Sequence, residues 1–61
     1  MKTDFYEIKA IVNNRWIARI EIYERELADQ IFMDLVQRLK DRKDVFVSEL
    51  GENKILGQYE N

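Results

Sequence analysis

The side chains best suited to chemistry in this chain of 61 residues are carboxylates. Five of them lie close together in the sequence: Glu21, Glu24, Glu26, Asp29 and Asp34. Such a group could transfer protons, or hold Mg²⁺ beside a substrate phosphate. Complementarity with the positive end of a helix, together with solvation, explains the same residues without any reaction. We therefore expect neither a metal site nor an acid–base centre here.

Nucleophilic catalysis of the serine or cysteine type is not expected, because the chain contains no histidine and no cysteine. The hydroxyl groups of Ser48 and Thr3 lack an imidazole base. The same composition leaves no disulfide and none of the common zinc or copper ligand sets. Gly51 and Gly57 are the two glycines and do not form a phosphate-binding loop. These points predict a noncatalytic protein with no cofactor and no metal.

Basic side chains are concentrated near the end of the predicted helix: Arg38, Lys40, Arg42 and Lys43. A second basic group includes an aromatic residue: Arg15, Trp16 and Arg19. Basic grooves with aromatic platforms are typical of proteins that bind single-stranded nucleic acid. However, Asp41 and Asp44 interrupt the first group, and a net charge of −2 argues against strong nonspecific attraction. Nucleic-acid binding is therefore the alternative function.

Two stretches alternate side-chain character with a period of two, which is typical of β-strands. They are residues 5–12 and 15–23. In both, the even-numbered positions are the more apolar, from Tyr6 to Val12 and from Trp16 to Ile22. We expect these even positions to face the core.

Asn13 and Asn14 separate the two strands, and the length of the loop decides which faces match. A two-residue turn on the asparagines would pair even with odd positions and mix core with charge. A three-residue loop restores the match in either of two registers. Pairing 12 with 16 sets like charges opposite each other, whereas pairing 11 with 15 sets Glu7 opposite Arg19. The second register also gives Asn14 the left-handed position of the loop, so we predict that register.

Residues 24–43 predict a helix. At about 100° per residue, apolar side chains share one stripe. The stripe contains Leu27, Ala28, Ile31, Phe32, Leu35 and Leu39, with Val36 at its edge and Met33 outside it. Acidic residues at the start and basic residues at the end complement the helix dipole, although no standard N-cap residue is present.

A second hairpin is predicted for residues 45–50 and 54–60, with its turn around Gly51, Glu52 and Asn53. A turn on Gly51–Glu52 and a turn on Glu52–Asn53 give the same faces in different registers, and both remain open. Either turn places six residues on one face: Phe46, Ser48, Leu50, Ile55, Gly57 and Tyr59. The opposite face then carries Val45, Val47, Glu49 and Leu56.

Together the segments predict an α+β fold with the order ββαββ, in one small domain covering residues 1–61. Two hairpins form an antiparallel sheet, and the connecting helix packs on one face. The other face keeps several apolar residues: Phe5, Ile11, Ile17, Tyr23, Val45, Val47 and Leu56. Apolar patches beyond a few hundred Å² usually mark interaction surfaces. A monomer with scattered surface hydrophobes is the simpler alternative, because ordinary protein surface is more than half apolar.

We expect a small adaptor, inhibitor or regulator that binds protein through this sheet face or a strand edge. Its expected partner is a second copy of the chain, another protein, or both. Without cysteine or histidine, association is the stabiliser still open to so short a chain. No apolar run approaches the ~20 residues of a membrane span, and the N-terminus lacks the apolar core of a signal peptide. We therefore expect a cytoplasmic protein without membrane contact.

Overall fold

The computed structural model describes residues 5–61. Its elements in chain order are β1 (Tyr6–Val12), β2 (Arg15–Ile22), α1 (Arg25–Leu39), β3 (Val45–Gly51) and β4 (Lys54–Glu60). The strands form one antiparallel sheet in the order β2-β1-β3-β4, and α1 packs on one face. The predicted ββαββ fold is therefore confirmed. Across the described residues, no helix has the length and hydropathy needed to span a bilayer.

The first hairpin combines a two-residue turn with a β-bulge. Asn13 and Asn14 both have positive φ, 57° and 69°, as a type I′ turn requires. Val12 pairs with Arg15, but the register shifts beyond Trp16, so that Ala10 pairs with Ala18 and Ile17 is the extra residue. The bulge restores the match of the faces that a two-residue turn alone would break.

The predicted register of this hairpin, with a three-residue loop, is therefore wrong. The observed pairing sets Glu7 opposite Glu21 and Lys9 opposite Arg19. The like charges are tolerated because Glu7 contacts its diagonal neighbour Arg19 and lies 3.6 Å from Lys9 Nζ. Diagonal partners on a sheet are within reach of long side chains.

The second hairpin repeats the same design. Glu52 and Asn53 form its turn with φ of 53° and 63°, so the Glu52–Asn53 alternative is the observed one. Gly51 pairs with Lys54, and the register then shifts so that Glu49 pairs with Gly57 and Leu56 is the extra residue. In both hairpins the bulge lies on the second strand, three residues after the turn.

The predicted faces of this hairpin are partly wrong. Phe46, Ser48, Leu50 and Ile55 share a face as predicted, but the bulge moves Gly57 and Tyr59 to the other face. The pairing of β3 with β1 also turns the other face of β3 toward the helix. Ala10 pairs with Val47 and Val12 with Val45, which places both valines under the helix. Val47 is 0% exposed and Val45 is 1% exposed. Phe46, the larger side chain, lies on the opposite face beside Ile11.

The core lies between α1 and the central strands β1 and β3. Its buried apolar residues are Ile8, Ala10, Val12, Ile22, Ala28, Leu39, Val45 and Val47. The helix is shorter than predicted, and Leu27 is 43% exposed whereas Val36 packs against the core. Glu24 makes no side-chain cap hydrogen bond, as expected from its type.

The loop of residues 40–44 is tied down by the end of the chain. The side-chain amide of Asn61 donates hydrogen bonds to the carbonyl oxygens of Lys40 and Arg42, at 2.9 and 2.8 Å. The backbone N–H of Asn13 donates to the carbonyl of Asp44, at 3.0 Å. These bonds hold the loop against both the first turn and the end of β4.

Candidate functional site

The sheet face opposite α1, which we name the open face, carries no element among the described residues. Its apolar side chains are Phe5, Ile11, Trp16, Tyr23, Phe46, Leu50 and Ile55. Trp16 is 59% exposed and Ile55 58% exposed. No element of residues 5–61 therefore covers the apolar side chains of the open face.

The residues of the open face form rows across the strands. At the end near the first turn, Trp16, Ile11 and Phe46 follow one another across β2, β1 and β3. At the other end, the rings of Phe5 and Tyr23 are 5.9 Å apart. Two rows that carry charges on β1 and β2 lie between these apolar ends.

The two middle rows carry opposite charges. Arg19 and Lys9 are neighbours in one row, and Glu21 and Glu7 are neighbours in the next. Lys9 Nζ also lies 5.5 Å from the centre of the Trp16 ring, within cation–π range. On β2 and β1 the face therefore has one cationic row and one anionic row between two apolar ends. On β3 and β4 the row of Glu7 continues with the apolar Leu50 and Ile55.

The structure keeps three of the predicted interface residues on the open face, namely Phe5, Ile11 and Tyr23. The other four predicted interface residues do not lie on the open face, and the prediction is wrong for them. Val45 and Val47 are core residues, because β3 presents its odd positions to the helix. The bulges move Ile17 and Leu56 out of the alternation, so that Ile17 lines a depression with Val12. Leu56 lies on the helix side of the sheet, where its side chain and that of Tyr6 are both close to Gly51.

Four residues of the open face were not predicted from the sequence: Trp16, Phe46, Leu50 and Ile55. Trp16 was expected in the core, but the bulge aligns it with Ile11 instead. The available signal was the mismatch between a two-residue turn and the alternation of the strands, which a bulge resolves as well as a longer loop does.

The four basic residues of the alternative function do not act as one patch. Arg38 makes an ion pair with Asp34 on the helix at 2.9 Å. Lys40 follows the end of α1. Arg42 and Lys43 line a depression of about 480 Å³ together with Arg15. The second predicted group also divides, because Trp16 faces the opposite side of the sheet from Arg15.

Within residues 5–61 no group of three acidic side chains has the geometry to hold a metal ion. Thr3 lies outside the described residues. The carboxylate that stands out is Glu49, which was expected on the open face but pairs with Ile8 under the helix and is 3% exposed.

Glu49 occupies an unusual electrostatic environment. Burial, followed by its hydrogen bond with Asp29 and the negative charge of Asp29, raises the pKa of Glu49 from 4.5 to about 7, while Arg25 acts in the opposite direction. Its Oε2 has no hydrogen-bond partner in the described part of the chain. Because Glu49 is almost completely buried, its carboxyl is not open to a ligand in this structure.

Comparison with protein-family models, curated proteins and solved structures gave no match to this chain.

Proposed function

We propose that this protein is a noncatalytic protein-binding module that forms a homodimer through its open face, acting as a small adaptor, inhibitor or regulator in the cytoplasm. The observation that carries the proposal is the uncovered group of apolar side chains on the sheet face opposite the helix. Its most exposed members include Trp16 and Tyr23, at 59% and 63%. Aromatic residues are enriched in protein interfaces because they bury a large area with few rotatable bonds.

The charge pattern favours a second copy as the partner. Suppose that two copies pack open face to open face. A two-fold axis in the plane of the interface, perpendicular to the strands and between the two charged rows, then reverses the strand direction in the second copy. Lys9 then faces Glu7 of that copy, and Arg19 faces Glu21. The same operation sets the row of Trp16 and Ile11 against the row of Tyr23 and Phe5. Self-complementarity of this kind is what a two-fold interface requires.

The face is a better docking surface than either edge. The edge strands are β2 and β4, and each contains a bulge, at Ile17 and Leu56. Bulges interrupt the hydrogen-bond ladder and discourage pairing with another strand. Side-chain contact through the face requires no continuous ladder.

The size of the interface sets the expected affinity. Four strands of about seven residues give a face of roughly 500 Å² in projection, from a rise of about 3.4 Å and a strand spacing of about 4.8 Å. Such an area lies near the lower end for specific interfaces, so we expect a dissociation constant in the micromolar range.

Sedimentation equilibrium over a range of concentrations tests the proposal. We expect the mean mass to rise from that of the 7.4 kDa chain toward twice that value. Ile55→Glu and Trp16→Glu should each weaken self-association at least about tenfold, because both place a charge in the buried contact.

Met33→Glu is the matched control. Met33 is an apolar side chain with the same exposure as Trp16, 59%, but it lies on the helix. This variant should associate as the unchanged protein does. A single species of one chain mass at concentrations well above the expected micromolar dissociation constant contradicts the homodimer. Equal effects of all three variants contradict the open face as its site.

A further inference from the structure

We propose that the depression between the first turn and the loop after α1 binds a phosphate group, in a site separate from the open face. The depression is lined by Val12, Asn13, Arg15, Ile17, Arg42 and Lys43. Three cations from two distant parts of the chain thus meet around an apolar floor. Arginine binds phosphate oxygens through two parallel hydrogen bonds, and lysine adds a point charge.

The three cations of the depression have no anionic partner in residues 5–61. Of the six other basic side chains in the described chain, four contact carboxylates within 4 Å and two, Lys40 and Lys54, do not. The four are Lys9, Arg19, Arg25 and Arg38. Arg15, Arg42 and Lys43 are exposed and make no such pair. Like charges that converge repel one another, and a bound anion removes that repulsion.

Two acidic residues of the same region line a different depression. Asp44 and Glu60 line a second depression, with Ile11 and Phe46, on the side of the open face. Neither of them lines the basic depression. Lys43 and Asp44 therefore line different depressions, although they are adjacent in the sequence, and Asp41 lines neither.

The backbone of the basic depression is held in place before any ligand binds. The Asn61 amide bonds to the carbonyl oxygens of Lys40 and Arg42, and Asn13 bonds to Asp44. Ile17 occupies the bulge of β2 and is 47% exposed, which leaves an apolar contact beside the cations. Positioned backbone reduces the ordering cost of binding.

A phosphate group can come from a free ion, a mononucleotide or the backbone of an oligonucleotide. Amide chemical shifts of ¹⁵N-labelled protein, recorded at constant ionic strength, distinguish these sources. Inorganic phosphate should shift the amides of Asn13, Arg15, Ile17 and Lys43. Tighter binding of uridine 5′-monophosphate indicates that the apolar floor takes the nucleoside. Still tighter binding of a short oligothymidylate, with a steep salt dependence, indicates a nucleic-acid backbone.

Arg42→Gln tests the site itself and should weaken phosphate binding about tenfold, as expected for loss of a charge-assisted hydrogen bond. Lys54→Gln is the matched control, because Lys54 is exposed, lies in the turn region at the opposite end of the sheet and carries the same charge. It should bind as the unchanged protein does. Absence of shifts at millimolar phosphate, equal weakening in both variants, or equal binding of a polyglutamate peptide would overturn the proposal.

Discussion

At the scale of single residues, Glu49 is the side chain whose environment departs most from its ordinary state. It lies opposite Ile8 in the core layer, and Asp29 of the helix is its neighbour. Such a carboxyl is favoured in its protonated form, in which it can donate a hydrogen bond to the Asp29 carboxylate. Because the pKa of Glu49 differs between the folded and the unfolded chain, the free energy of unfolding depends on pH.

We expect the free energy of unfolding to fall as pH rises from about 4.5 to about 7 and to level off above that. The pKa of Glu49 is raised to about 7 in the folded chain, whereas its ordinary value is 4.5. Within this window the folded chain binds more protons than the unfolded chain, so raising the pH favours unfolding. The change amounts to at most about 3 kcal/mol. Urea denaturation at pH 5 and pH 8 measures it.

Glu49→Gln should remove this dependence, because glutamine keeps the shape and the donor to Asp29 but does not ionise. The variant should be more stable than the unchanged protein at pH 8 and about equal to it at pH 5. Glu26→Gln is the control, since Glu26 is exposed on α1, away from the open face, and loses the same charge. If both variants respond alike, buried Glu49 is not the source of the pH effect.

The sequence could not reveal Glu49, because alternation alone does not say which parity of a strand faces the helix. Glutamate at an odd position beside Val45 and Val47 favours assigning that parity to the outside. The structure does the reverse. Phe46 and Leu50 are placed outside and the smaller valines inside, while Gly57 leaves room for the ring of Phe32, 3.0 Å from where a Cβ would lie. Close packing of the helix decides this, and it is a property of the assembled layers.

At the scale of elements, the two hairpins share one construction with different turn residues. Each has a two-residue turn with positive φ and a bulge on the following strand. The first turn uses Asn13 and Asn14, and asparagine tolerates the left-handed region better than most residues. The second turn uses Glu52 at φ 53°, where glutamate is strained.

Replacing Glu52 by asparagine and replacing Asn13 by glutamate should therefore change the free energy of unfolding in opposite directions. Glu52→Asn is expected to stabilise the fold by about 1 kcal/mol, through relief of this strain. Its lost contacts are weak, since Glu52 is 3.9 Å from Arg25 and 3.4 Å from the Tyr6 hydroxyl at an exposed site. Asn13→Glu, the reciprocal variant, should destabilise by a similar amount. Thermal unfolding of both measures this, and a less stable Glu52→Asn protein would show that the Glu52 contacts outweigh the strain.

The elements themselves were largely predictable from the sequence. Period-two alternation located all four strands to within a residue or two, and the apolar stripe located the helix. The bulges were not predicted, because a bulge and a three-residue loop both reconcile a hairpin with its alternation. That ambiguity accounts for the wrong register of the first hairpin and for two of the four misplaced interface residues, Ile17 and Leu56.

At the scale of the whole molecule, the prediction of an uncovered apolar face required only the count of elements. One helix of Arg25–Leu39 can shield one side of four strands. Which side chains lie on the open side depends on the bulges and on the pairing of β1 with β3, so its members were only partly predicted. Phe5, Ile11 and Tyr23 were correct because they lie on parts of the first hairpin whose alternation the bulge leaves unchanged.

The single tryptophan reports directly on the proposed dimer, because Trp16 lies on the open face and is the only indole in the chain. Self-association should transfer its ring from water to the apolar row of the second copy. On dilution from about 100 to about 1 μM, a range that spans a micromolar dissociation constant, we expect the fluorescence maximum to shift to longer wavelength and quenching by acrylamide to increase. Phe46→Glu, which changes a neighbouring row position without touching the indole, should show the dilute spectrum at every concentration. If the unchanged protein gives the same spectrum as the Phe46→Glu variant at every concentration, Trp16 faces solvent throughout and a second copy does not cover the open face.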